Sequence, residues 1–262
     1  MNRIFSEGLI IIASFFIGFI LLYQIDWIRV FNVTENTLET EEKLGKLFYE
    51  HISKNSKDID KPFVINTIDS ILLRITEGNS IQNNIQLHIV KNDEINAFAL
   101  PGGHIMIYSG LIARADNPAE IAGILSHELA HIELDHVMKK LVKEVGLGLL
   151  ISMAGGQSGT EILRETLKFL SSTAYDRKLE KQADLKAVDY LLNANIDPEP
   201  FANFLYKLEE EDHLLSEFSW LSTHPELKAR AEYIIEYYQD KGSQKQPIIS
   251  HSSWLLLQEE VH

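Results

Sequence analysis

The sequence predicts an α+β fold, mainly helical, with a small sheet beside one long helix and an apolar helix ahead of both. Three observations carry that expectation. Apolar residues recur at helical spacing through most of residues 34–239. Three short segments between 85 and 108 read as strands, two of them about the turn Pro101-Gly102-Gly103. Eighteen residues between Glu7 and Asp26 carry no charge, and Leu9 to Leu22 reads LIIIASFFIGFILL. These boundaries divide the 262 residues into an N-terminal anchor (1–30), a main domain (31–242) and a C-terminal tail (243–262).

The uncharged run is long enough to span a hydrocarbon core of about 30 Å as a helix. Its exit, Tyr23-Gln24-Ile25-Asp26-Trp27, lacks the small-residue cleavage site of a secretory signal, so it reads as an uncleaved transmembrane anchor. Arg3 before the span and Arg29 and Lys43 after it leave the positive-inside count close to a tie. With 24 basic against 38 acidic side chains the net charge is −14, which excludes a nucleic-acid partner held through phosphates and makes any membrane attachment apolar. There is no cysteine. A disulfide framework, a thiol nucleophile and a thiolate metal site are thereby excluded, and any transition metal must be held by histidine and carboxylate.

Leu44, Leu47, Phe48 and Ile52 predict one amphipathic helix, and Ile65, Ile68, Leu72 and Ile75 a second, with Lys54–Lys61 and Pro62 between them. Ile85–Val90 alternates as a half-buried strand, followed by strands at Ala97–Leu100 and Ile105–Tyr108. Asn117, Pro118 and Glu120 form the start signal of a long helix expected to run past His136. Residues 146–159, GLGLLISMAGGQSG, fit a mobile hairpin, a lipid-facing surface or a loosely packed core loop equally well. Helical patterns resume at 160–193, 198–213 and 225–239, and the tail beyond Gly242 is polar apart from Trp254-Leu255-Leu256-Leu257.

Within the long helix stands His127-Glu128-Leu129-Ala130-His131. Positions i and i+4 lie one above the other, so both imidazoles face one way and can grip one Zn²⁺, with Glu128 beside its water. A catalytic zinc needs a third protein ligand. His136 lacks the metzincin context and reads as a surface residue or an outer partner. The better candidate is Glu180, with Asp184 one turn on to receive the outer N–H of a ligating imidazole.

Four ordered segments give the chain a resemblance to the gluzincin metallopeptidases that include the CAAX prenyl protease, HtpX-like proteases and periplasmic quality-control proteases. They are Asn96–Gly103, the zinc helix with His136, Arg177-x-x-Glu180-x-x-Ala183-Asp184, and Ser222-Thr223-His224-Pro225 with Arg230. The resemblance covers roughly residues 40–240. It implies a zincin-like fold, one Zn²⁺ per chain held by His127, His131 and Glu180, Glu128 as general base, and Asp184 as a proton or orienting partner. It also implies an active-site role for His224, either stabilising the transition state or blocking the water position, although Thr-His-Pro is also a plain turn. Gln182 departs from the family, which usually carries a second glutamate there.

The activity implied is zinc-dependent endoproteolysis of polypeptides, with the domain outside the cytoplasm, on the periplasmic side, and Gly103–Tyr108 available to pair with a substrate backbone. The alternative is a zinc-holding but latent or chaperone-like protein in which His224 caps the metal. An anchored interaction protein with an accidental motif is disfavoured by the three further motifs in order.

Overall fold

A computed structural model of the chain describes residues 33–211, 219–241 and 245–261. The expected transmembrane anchor lies outside them, and no helix among the described residues is long and apolar enough to cross a membrane. The chain divides into two compact units, Met1–Thr40 and Glu41–His262, and the second holds everything discussed below except the first turns of one helix.

Helices α1 (Val33–Asn55) and α2 (Pro62–Gly78) fill the two expected helical stretches, with Pro62 pre-set for the first turn of α2. Between them lies a strand with no sequence signal, β1 (Lys57–Asp58), too short to show a period. Strands β2 (Gln86–Lys91), β3 (Ala97–Leu100) and β4 (His104–Tyr108) follow. The sheet order is β1-β2-β4-β3, with β2 and β4 parallel and the other pairs antiparallel. Gly102 and Gly103 turn β3 into β4 at φ 71° and 79°, where a side chain would be strained.

Successive side chains of a strand point to opposite faces, and apolar residues on both faces of this sheet are buried. Ile89, Ala97, Ile105 and Ile107 join the larger core; Val90, Phe98, Leu100 and Met106 join a second core with Leu44 and Phe48 of α1. Strand β4 is paired on both sides, so it cannot receive a substrate backbone as expected. The strands at the margins are β1 and β3, and β3 is the one paired with β4.

After α3 (Ser109–Arg114) comes the central helix α4 (Pro118–Glu133). Asn117 caps it, its side chain accepting from the Ala119 and Glu120 N–H groups at 3.0 and 3.2 Å. Every residue from Glu120 to His131 is buried, so α4 is packed all round. Gly123 permits this on one side, since a Cβ there would lie 2.4 Å from Phe201 Cβ. The helix does not run past His136. It stops at Leu134, Asp135 turns through φ 56°, and α5 (His136–Glu144) begins afresh. Asp135 is among the few residue types that tolerate this left-handed conformation.

The ambiguous segment 146–159 contains a short helix, α6 (Leu147–Ala154), which buries Leu150 and Met153 while Leu149 and Ile151 stay exposed. The helical pattern at 160–193 is two helices, α7 (Thr160–Ser172) and α8 (Arg177–Asn193), broken at 173–176. Helix α8 turns Glu180, Ala183, Asp184, Ala187, Val188 and Leu191 inward, against α4. Helices α9 (Glu199–Glu211), α10 (Ser219–Thr223) and α11 (Leu227–Tyr238) follow. The expected polar tail holds a further helix, α12 (His251–Val261). Its Trp254, Leu257 and Val261 join the larger core, which accounts for the apolar run noted there.

Candidate metal centre

Helix α4 supplies His127, Glu128 and His131, α8 supplies Glu180 and Asp184, and the turn after α10 supplies His224. All six are buried. One ligand atom each from His127, His131, Glu180 and His224 falls within a 4.8 Å span. The Nε2 atoms of His127 and His131 are 3.0 Å apart, and His224 Nδ1 is 3.2 Å from His127 Nε2. Glu180 lies 3.4 Å from His131 Nε2, 3.6 Å from His127 Nε2 and 3.0 Å from His224 Nδ1. A tetrahedral Zn²⁺ bound at about 2.0–2.1 Å would separate its ligand atoms by about 3.3 Å, and the observed edges scatter around that value.

The charges also fit a divalent cation. Glu128, Glu180 and Asp184 put three carboxylates in a buried pocket, with the Arg230 guanidinium against two of them, Glu180 and Asp184. Burial alone would raise all three carboxyls. Instead His224 and Arg230 hold Glu180 well below its ordinary value, Arg230 and His127 do the same for Asp184, and His224 leads the groups that lower Glu128. Burial would lower His224, but Glu180 and Glu128 outweigh it and raise the imidazole. His131 goes the other way, pushed down to about 3 chiefly by burial, which keeps a ring neutral as a ligand must be.

Outer contacts set the ring orientations. Asp184 Oδ1 lies 2.8 Å from His127 Nδ1, the pairing of carboxylate and outer ring nitrogen that suits an imidazole ligating through Nε2. Asp184 is held in turn by Arg230 Nε and Nη2 at 2.8 and 2.7 Å and by the Tyr233 hydroxyl. His136 is buried, with its Nδ1 3.1 Å from His131 Nδ1, and so is an outer partner of His131 and not a surface residue. Burial pushes the His136 imidazole down to about 4, and Gln182, at the family's second-glutamate position, works against that.

Glu128 is fixed at both oxygens. Oε2 accepts from the Ala99 N–H of β3 at 3.0 Å, and Oε1 accepts from Trp220 Nε1 at 3.3 Å. His224 Nε2 stands 3.3 Å from the same Oε1. Trp220 is fully buried, stacks on His224 at 4.5 Å, and donates its backbone N–H to Ile95 O beside β3. Sequence reasoning missed Trp220, and it missed Tyr175, whose ring stacks on His131. Neither belongs to a motif with its own chemistry; only chain folding brings them to the centre.

A family model described as Peptidase family M48 matches residues 66–237. The chain is 27% identical over 205 residues to the beta-barrel assembly-enhancing protease of Yersinia pestis, covering 72% of this chain and 42% of that protein. It is 24% identical over 237 residues to the mitochondrial metalloendopeptidase OMA1 of Schizosaccharomyces pombe, covering 86% and 70%. Identity to the bovine OMA1 metalloendopeptidase is 30% over 165 residues, covering 56% and 31%. The chain spans less than half the length of the bacterial relatives. The family match takes in the zinc-type helix, the helix of Glu180 and Asp184, and the turn of His224, and the chain belongs to peptidase family M48.

Proposed function

We propose that the protein is a membrane-anchored, zinc-dependent endopeptidase that cleaves unfolded or membrane-associated polypeptides in protein quality control. The observation that supports it most is the buried convergence of His127, His131 and Glu180 with Glu128 beside them. In this reading those three residues hold Zn²⁺, which when bound supplies an acidified water and polarises the scissile carbonyl. Glu128 would serve as the base that accepts a proton from the attacking water and returns it to the leaving amine. Asp184 keeps His127 in the ligating tautomer, and Arg230 keeps Asp184 ionised. Strand β3, one residue of which already contacts Glu128, offers the backbone edge for an extended substrate. The quality-control assignment and the extracytoplasmic placement rest on the family resemblance, and the anchor on the uncharged N-terminal run.

The test is cleavage of unfolded casein by the full chain. Glu128→Gln should retain stoichiometric zinc and lose cleavage, and chelator should abolish cleavage by the wild type. Full activity in Glu128→Gln would refute the mechanism. Extraction of the protein from membranes by alkaline carbonate would refute the anchor.

A second reading is favoured by one specific feature. His224 Nδ1 stands 3.2 Å from His127 Nε2, where it would compete for a metal's open position, and Trp220 and His224 both contact Glu128 Oε1. A centre so capped is latent. In that case His224→Ala should raise casein cleavage; a lower rate would leave His224 with a direct catalytic role instead.

A further inference from the structure

Lys140 is a buried ammonium that the reaction outlined above does not use. It lies on α5, one turn beyond His136, and is 6% exposed. Its Nζ donates to two backbone carbonyls at the end of α7, Thr173 O at 2.5 Å and Leu170 O at 3.4 Å. It also sits over the Tyr175 ring at 4.2 Å and the Phe169 ring at 5.3 Å. Burial pushes the ammonium down to about 8, while Glu180 and Glu128 pull it up, so it stays ionised at neutral pH. A lysine at a helix C-terminus is favourable, but a buried one without a carboxylate in direct contact is expensive to keep.

Its contacts suggest what keeps it. The same Tyr175 ring stacks on His131, with ring centroids 4.0 Å apart and planes 22° from parallel. Tyr175 is tied from behind by its backbone N–H to Thr223 O at 3.2 Å, next to His224. Lys140 therefore closes a ladder of ammonium, phenol and imidazole that ends on a candidate ligand. The same ammonium secures the 173–176 link, from which α8 carries Glu180 into the centre five residues later.

We propose that Lys140, acting through Tyr175, is a positioning residue for the metal centre. It clamps the phenol ring against His131 and sets the entry of α8, so that His131 and Glu180 meet with their ligand atoms in place. The inference rests on the metal-site reading given above, and its test separates the two.

Zinc affinity of the full chain, measured by competition with a chromophoric chelator, is the readout. Wild-type protein should bind one zinc; failure to bind any overturns the metal-site reading itself. Lys140→Met and Tyr175→Leu should each bind zinc about tenfold more weakly, the scale of losing an outer partner of a ligand. Lys140→Arg, which keeps a cation and donors, and Tyr175→Phe, which keeps the ring, should bind as the wild type does. The double variant Lys140→Met/Tyr175→Leu should be no weaker than the weaker single variant, because the two act in series. Wild-type affinity in a folded Lys140→Met, failure of Lys140→Arg to rescue, or multiplicative loss in the double variant would overturn the proposal. Should Lys140→Met fail to fold, the Tyr175 pair decides: equal affinities for the Leu and Phe variants would overturn it.

Discussion

Replacing Asp184 by Asn is the sharpest perturbation of the centre, because it changes one oxygen to NH₂ at nearly constant volume. The carboxylate faces only donors: His127 Nδ1 and Arg230 Nη2 at Oδ1, Arg230 Nε and the Tyr233 hydroxyl at Oδ2. An Asn side chain has one acceptor oxygen, so its NH₂ meets either two buried donors (His127 Nδ1 and Arg230 Nη2) or one (Arg230 Nε), the part-buried Tyr233 hydroxyl being able to turn and accept. Each unsatisfied buried donor costs about 1–3 kcal/mol, giving about 1–6 in all. Counted as the breaking of a buried ion pair, the same loss is about 3–5 kcal/mol, so the two routes agree near 4. Urea unfolding of the chelator-treated Asp184→Asn protein should show that loss. Zinc affinity should fall 10–100-fold, since His127 loses the partner that fixes its tautomer. The pH dependence gives a further check. Asp184 is held below its ordinary 3.8, so its contribution is present above that value and lost as pH falls. The variant should therefore converge on the wild type in acid. Stability within 1 kcal/mol of the wild type, together with unchanged zinc affinity, would refute the reasoning.

Two further substitutions test the scaffold around α4. Glu120 accepts from the Asp116 N–H at 2.8 Å in the cap of this helix, and its carboxyl is raised to about 6, chiefly by burial. A carboxyl raised by folding stabilises fully below its unfolded value near 4.5 and ceases to as pH climbs through 6. The stability difference between wild type and Glu120→Gln should thus shift in favour of the variant by about 1 kcal/mol from pH 4 to 7.5, allowing for partial solvation; a flat difference in urea midpoints would contradict it. Gly123→Val would drive methyl groups into Phe201, whose Cβ, Cγ and Cδ2 lie 2.4–2.6 Å from a Cβ built there. It should cost about 1–3 kcal/mol by urea unfolding, and a loss below 0.5 would show that α9 can yield.

The ligands on α4 were legible because the i, i+4 relation is local and survives any tertiary arrangement. Glu180 and Asp184 were legible for the same reason once α8 was read as a helix, since they share its inward stripe. The breaks were not. Nothing in the apolar period distinguishes a helix that continues past His136 from one that ends at Asp135 and restarts, yet the restart turns His136 back onto His131. Similarly, the pattern at 160–193 runs across the link at 173–176, where Tyr175 leaves the helix and reaches the centre. Strand order was equally hidden: alternation marks Ile105–Tyr108 as a strand but cannot say that β2 and β3 enclose it.

The residues that escaped sequence reasoning share a position, since Trp220, Tyr175 and Lys140 all cover the centre without offering it a ligand atom. Their contacts reach β3's neighbour Ile95, Thr223 at the end of α10 and the end of α7, respectively. A ligand set can be assembled from two helices and a turn, but burying three carboxylates requires walls that exclude water and donors that hold each oxygen. Those walls are drawn from segments far apart in the chain. Local spacing therefore specified which atoms could meet a metal, whereas the covering residues bear on whether the metal stays and whether a substrate can reach it. The chelator competition on Lys140 and Tyr175 addresses the first, and the cleavage rate of His224→Ala the second.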